Sequence, residues 1–228
     1  MARSVVAAIG AVMLTGCVST KVTPLKESDV ATLQGGKVTT TTRPVPGFVA
    51  MTAGKAMFGA LGGAAMAIAG NNLVKENAVP DPADYIANEL TKGFADANAM
   101  TVASNGNVVA TAVKPADLAK QYADADLLLD VQTTNWSFAY FPTDWNNYRV
   151  MYSARLRVID VKKAAVLAEG FCSRVPENSD TAPSYDDLVN DGAAGLKKEL
   201  VVAANYCIRE FRSQVFLPTT VKSASTIR

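Results

Sequence analysis

The sequence predicts an α+β domain. It has a mostly antiparallel sheet, a long C-terminal helix, and a glycine- and alanine-rich helix packed on one face. Three observations carry this expectation. Between Tyr148 and Asp160, apolar Val150, Tyr152, Ala154, Leu156 and Val158 alternate with Arg149, Met151, Ser153, Arg155 and Arg157, the period of a half-buried strand with a basic, wet opposite face. Leu196, Leu200, Ala203, Cys207 and Phe211 recur at steps of three and four, the stripe of an amphipathic helix. Phe48 to Gly70 carries Lys55 as its single charge, with Gly59, Gly63 and Ala67 four residues apart.

The N-terminus comes first in chain order. Arg3 precedes an apolar run from Val5 to Leu14, and Leu14-Thr15-Gly16-Cys17 follows. The run has signal-peptide length and is too short to span a bilayer. A buried helix ending in cysteine and a plain secretory signal are the alternatives. The arrangement resembles the lipobox of bacterial lipoproteins. That resemblance implies removal of residues 1–16 and lipid on Cys17, the sole non-protein group expected. With Val18 rather than aspartate after the cysteine, it implies the periplasmic face of the outer membrane.

Residues 17–36, polar after Cys17 and carrying Pro24, Gly35 and Gly36, read as a lipidated tether. Residues 37–217 form one domain, beginning with a β-branched strand from Lys37 to Arg43 that Pro44, Pro46 and Gly47 terminate. For Phe48 to Gly70 three readings stand: a helix packed tightly on a sheet or neighbour, a helix that mediates oligomer contact or rests in the membrane, and a transmembrane span. The uncharged stretch from Ala56 to Gly70 falls short of the roughly 20 residues a span needs. Gly59, Gly63 and Ala67 are the candidate helix-packing or oligomer contacts, since small residues let helices approach closely.

Asp81, Pro82 and Asp84 suit the N-cap, first position and first turn of a helix that buries Ile86, Leu90 and Phe94. Met100–Ser104 and Val108–Val113 flank Asn105-Gly106, a hairpin signal. Pro115 to Tyr122 reads as a short helix. From Asp126 to Phe141, Leu127, Leu129 and Val131 occupy odd positions, whereas Trp136, Phe138 and Tyr140 occupy even ones. A bulge near Thr133 to Asn135 would restore one apolar face. Ser184 and Asp187 form a capping-box variant for the last helix, which Gly192 and Gly195 bend or interrupt. Residues 218–228 read as a disordered tail.

Seven of the 17 aromatic residues lie between Trp136 and Tyr152. They form either a core cluster anchoring a long hairpin or a binding tip. Trp136, Phe138, Tyr140 and Trp145 are the candidate partner-binding residues, because tryptophan and tyrosine dominate binding hot spots. With Cys17 assigned to lipid, Cys172 and Cys207 remain as a pair in an oxidising compartment. A structural disulfide between the strand and the helix fits better than two free thiols or a redox-active pair.

Composition excludes more than it includes. The chain has no histidine, so Ser-His-Asp and Cys-His nucleophilic sites cannot be built, and zinc loses its main ligand. No metal site or cofactor is expected. After cleavage 21 basic residues face 21 acids, which gives no reason to expect a nucleic acid as partner. Asp124, Asp126, Asp130 and Asp144 are the local carboxylates for an enzyme reading, with nothing to fix two of them across a substrate.

The run Asn-Trp-Ser-Phe-Ala-Tyr-Phe-Pro-Thr-Asp-Trp, then Leu-Arg-Val-Ile-Asp and Leu-Ala-Glu-Gly-Phe-Cys, resembles an uncharacterised group of Gram-negative envelope lipoproteins. The layout is similar to the α/β domains of the curli secretion lipoprotein, the lipoprotein activators of penicillin-binding proteins and the N-terminal domain of the Tol translocation protein. The resemblance implies a non-enzymatic, membrane-anchored component of an envelope complex, with an envelope protein or a second copy as partner. The alternative is a self-assembling, pore- or secretion-associated lipoprotein working through helix 48–70. It supplies no catalytic residues.

Overall fold

A computed structural model describes residues 22–216; the signal segment, Cys17 and the C-terminal tail lie outside these. The elements in chain order are α1 (Glu27–Leu33), β1 (Lys37–Thr40), β2 (Val49–Met51), α2 (Ala53–Ala56), α3 (Gly59–Glu76), α4 (Pro82–Ala97), β3 (Thr101–Val102), α5 (Pro115–Gln121), β4 (Leu127–Phe141), β5 (Asp144–Asp160), β6 (Ala165–Arg174) and α6 (Tyr185–Gln214). The class is α+β, as the sequence predicts.

The sheet is mixed, which corrects the expected antiparallel majority of strands. Its order is β3-β1-β4-β5-β6, with β2 also beside β4. The long meander β4-β5-β6 is antiparallel, whereas β1 and β2 join β4 in parallel and β3 joins β1 in parallel. The parallel joins follow from the connections, because helical crossovers bring the chain back to the end it left.

The parity change in β4 resolves as expected. A register shift separates Thr133 from Asn135 opposite Ala154 and Ser153. One extra residue on β4 puts Leu129, Val131, Trp136 and Phe138 on one buried face. Helices α4 and α6 cover that face with Ile86, Leu90, Phe94, Leu196, Leu200, Ala203 and Phe211. The Asp81 carboxylate accepts from Ala83 N at 2.9 Å, and Ser184 and Asp187 make the reciprocal capping box. Helix α6 breaks at Asn190–Ala193, where Asp191, Gly192 and Ala193 take left-handed φ values. Past the break the two segments nearly touch: a Cβ on Gly195 would lie 2.0 Å from the Asp187 carbonyl oxygen.

Two other expectations are corrected. The polar segment read as a tether is docked from Thr23 onward. Thr23 and Glu169 exchange backbone hydrogen bonds of 2.7 and 2.9 Å, and Leu25 N donates to Val215 O. Leu25 and Leu33 enter the core, and this burial orders an otherwise polar stretch. The Asn105-Gly106 hairpin does not form. Thr101–Val102 pairs with β1, and Val109 bridges Thr42, both in parallel. The unpaired outer edge of β1 captures both segments, and Gly106 and Asn107 turn between them with positive φ.

Candidate functional site

The candidate residues divide into those the fold consumes and those it leaves at the surface. Cys172 and Cys207 are bonded, with Cα atoms 5.4 Å apart and a sequence separation of 35. Both are buried, so the bond ties β6 to α6 across the core.

The aromatic cluster separates by position along the hairpin. Trp136 and Phe138 are 1 % and 0 % exposed, which corrects their placement on a partner surface. Phe48 packs edge-on against both, at centroid distances of 5.1 and 5.7 Å, and Trp136 Nε1 donates to Pro46 O at 3.0 Å. The bulge causes this, since it returns both rings to the helix-covered face. Tyr140 is half-buried and Trp145 is 63 % exposed. Their rings meet edge-on at 6.2 Å, and Trp145 Nε1 donates to Pro142 O at 3.2 Å. Trp145 thus stands at the hairpin tip, steadied by Tyr140.

The glycine-rich helix is attached differently from the expected stripe. Gly59 and Gly63 are exposed and have no neighbour within 4 Å of a built Cβ, and Ala67 is half-buried. The row that packs is Gly62, Met66 and Gly70. A Cβ on Gly70 would lie 2.3 Å from Phe48 O and 2.8 Å from Ala50 N. The Asn71 side chain accepts from Phe48 N at 2.8 Å. Helix α3 therefore seals the free edge of β2, a standard protection against strand addition. Gly62 lets α3 fold back on α2, because a Cβ there would meet Lys55 O at 1.9 Å.

The rest of this arm is uncovered. Met57, Phe58, Leu61 and Ile68 are 82, 72, 82 and 63 % exposed. Leu61, Ala65 and Ile68 recur at steps of four and three within α3 and so share one side of the helix, and Phe58 immediately precedes it. Folded monomers rarely leave contiguous apolar patches without a binding role. Among the described residues no helix is long and apolar enough to cross a membrane.

The polar groups are largely spent internally. The Asp130 side chain is fully buried and receives Arg43 Nε at 2.6 Å, Arg157 Nη2 at 2.6 Å, Arg157 Nε at 2.9 Å and Thr41 Oγ1 at 2.9 Å. Arg43 Nη1 also donates to the carbonyls of Ala110 and Ala112, and Arg157 Nη1 to that of Val113. This corrects the expected wet basic face at Arg157: residues 107–114 and α5 lie over that half of the sheet, where Leu118, Ala119 and Tyr122 pack on Leu128 and Ile159. Burial pushes the Asp130 carboxyl up, and Arg43 and Arg157 more than reverse it, holding it below the ordinary carboxylate range. A second buried group joins Thr133 to the Asp81 carboxylate and, at 2.9 Å, to the Tyr152 hydroxyl. Burial raises both Asp81 and Tyr152.

The other carboxylates of the enzyme reading are not assembled. Asp126 binds Lys162 at 2.7 Å and Lys37 N at 2.8 Å, and Asp144 accepts from Asn147 Nδ2 at 2.6 Å and Asn146 N at 3.2 Å. The Asn147 and Asn146 bonds hold Asp144 below the usual range. Asp126 lines a cavity of about 370 Å³ with Asp160, Lys162, Lys163, Gln34, Gly35 and Gly36, where each acid already faces a lysine. Among the described residues no cluster of three metal-ligating side chains occurs.

No protein-family model and no curated protein matches the chain. Solved structures are similar at low identity. The PelC dodecamer from Paraburkholderia phytofirmans is 13 % identical with a TM-score of 0.35, covering 84 % of this chain and 92 % of that one. Lipoprotein GNA1162 from Neisseria meningitidis is 16 % identical with a TM-score of 0.27, covering 76 % and 98 %. The LpoB C-terminal domain from Salmonella enterica is 10 % identical with a TM-score of 0.24, covering 64 % and 91 %.

Proposed function

We propose that the protein is a non-enzymatic lipoprotein of the bacterial envelope, acylated at Cys17 and held at the periplasmic face of the outer membrane. It works by surface contact as a component of an envelope assembly. The observation that carries this reading is the uncovered α2–α3 arm, with four large apolar side chains in solvent. The titratable clusters, by contrast, are closed on themselves by ion pairs and hydrogen bonds. Trp145 supplies a second exposed apolar feature at the hairpin tip. Chemistry needs a group poised to change protonation or attack, and surface contact needs exposed area; the molecule offers the second.

The test is photo-crosslinking in intact cells from a reactive residue placed at Leu61 or Trp145, with the exposed Lys120 of α5 as reference. The reading expects capture at the first two positions and none at the third. Equal, background capture at all three contradicts it.

A further inference from the structure

A small cleft of about 200 Å³ lies between α4 and the edge strands β1 and β3. One water in the liquid occupies about 30 Å³, so the cleft has room for a ligand of a few heavy atoms. Thr39 and Thr40 of β1, Asn88, Thr91 and Lys92 of α4, and Ser104 beyond β3 supply most of its polar lining. No acid lines it, so Lys92 is its single charge. No residue of the α2–α3 arm or of the hairpin tip takes part, which makes the cleft independent of the surface-contact reading.

On the strand side the donors are spent. Thr39 Oγ1 donates to Ala103 O and Thr40 Oγ1 to Leu129 O, each at 2.9 Å. Asn105 Nδ2, also in the lining, donates to Thr42 Oγ1 at 3.1 Å. Ser104 Oγ accepts from Gly106 N at 3.1 Å, which leaves its own proton to donate. The helix side differs. Thr91 is 2 % exposed, and its Oγ1 is buried without a hydrogen-bond partner. A threonine inside a helix commonly returns its hydroxyl to a carbonyl one turn back; Thr91 does not. Valine has the same shape and would leave no orphaned donor there. Asn88, Thr91 and Lys92 stand at i, i+3 and i+4 of α4 and so share one side of the helix. An ammonium, an amide and an unused hydroxyl thus meet at a cleft that holds no carboxylate.

We propose that this cleft binds a small oxyanion, a carboxylate or phosphoryl group, free or carried on a larger molecule. Lys92 supplies the charge, the Thr91 hydroxyl and the Asn88 amide donate to the oxygens, and Ser104 donates from the strand side. A ligand group that only accepts suits a lining whose unspent groups donate. The bound oxygen gives Thr91 the partner that the fold withholds. Asn88 and Lys92 are exposed, so their side chains can close on the ligand without movement of the backbone.

The test is an amide NMR titration of the isotope-labelled full mature chain in neutral detergent, at constant ionic strength, with inorganic phosphate, acetate and glycerol as probes. Phosphate or acetate is expected to move the amides of residues 91, 92 and 104 saturably, and glycerol to leave them in place. Saturation with phosphate alone assigns a phosphoryl group, and saturation with acetate alone a carboxylate. Thr91→Val removes a hydrogen bond to a charged group and should weaken the binding about tenfold or more, with Tm unchanged or higher because the orphaned hydroxyl is gone. Lys92→Gln should weaken it by a similar factor, about tenfold or more. Lys92 is exposed, so its variant keeps the fold and decides the matter even where Thr91→Val is less stable than the parent. No saturable shift with either anion, equal shifts with glycerol, or parental affinity in either variant overturns the proposal.

Discussion

Asp130→Asn is the sharpest test of how the sheet's outer face is held. The Asp130 side chain has 0 % exposure and its partners Arg43 and Arg157 have 5 % and 7 %, so solvent screens none of the three. Neutralising the carboxylate leaves two buried guanidinium groups facing one amide. Removing one partner of a buried ion pair typically costs about 3–5 kcal/mol, and two cations on one acid place this change at the upper end. For a domain of this size each kcal/mol lowers Tm by roughly 2–4 °C, so a fall of about 10–15 °C is expected in thermal unfolding followed by circular dichroism. The pH dependence has a fixed sign. The folded carboxyl is held below its ordinary value, so its contribution is present above the unfolded pKa and lost as pH falls through the lower folded value. Acid unfolding of Asp130→Asn should therefore lack this component. Replacing all three residues together with apolar ones removes the unpaired charges and should recover most of the loss. A single-variant Tm within about 3 °C of the parent, or a triple variant worse than the single one, refutes the reasoning.

Three other outcomes are expected. Gly70→Ala should destabilise by about 1–3 kcal/mol in denaturant titration, because the new methyl meets Phe48 and Ala50 backbone that cannot step aside; Gly63→Ala, with open space around it, should stabilise by up to about 1 kcal/mol. Reducing the Cys172–Cys207 bond, which closes a separation of 35 residues, should lower unfolding free energy by about 4 kcal/mol in the chain-entropy account, read from denaturant midpoints with and without reductant. Trp136→Ala should cost about 3–5 kcal/mol while exposed Trp145→Ala stays within about 0.5 kcal/mol, read as Tm; equal effects would contradict the division of the hairpin into core base and free tip.

Much of this was legible in the sequence where the signal is local. The parity change across Thr133–Asn135 announced the bulge. Asp81-Pro82 and Ser184-Asp187 announced two helix starts, Gly192 and Gly195 the interruption of α6, and the two cysteines their bond. What was not legible depends on partners distant in the chain. Nothing in a four-residue strand such as β1 says that it will lie parallel to β4. Asn105-Gly106 has hairpin chemistry, yet the open edge of β1 offered its flanks a better partner. Arg157 alternates like a solvent-facing residue, and only the covering α5 and loop make it a buried ion-pair partner of Asp130. The small-residue stripe at Gly59, Gly63 and Ala67 had the right spacing, but the β2 edge selected the neighbouring row at Gly62, Met66 and Gly70. For the same reason, the apolar surface left over on α3 could not be assigned until the edge it seals was known. Trp136 and Phe138 stood open between core anchors and a binding tip, because composition marks aromatic density and not depth.

The central claim is that this is a lipid-anchored protein whose work is done by contact. The most direct measurement is the intact mass of the mature chain purified from the membrane of a host that acylates lipoproteins. The account predicts a chain that begins at Cys17, carries acyl groups there and has no free thiol. A mature chain beginning elsewhere, or one with an unmodified Cys17, would contradict it.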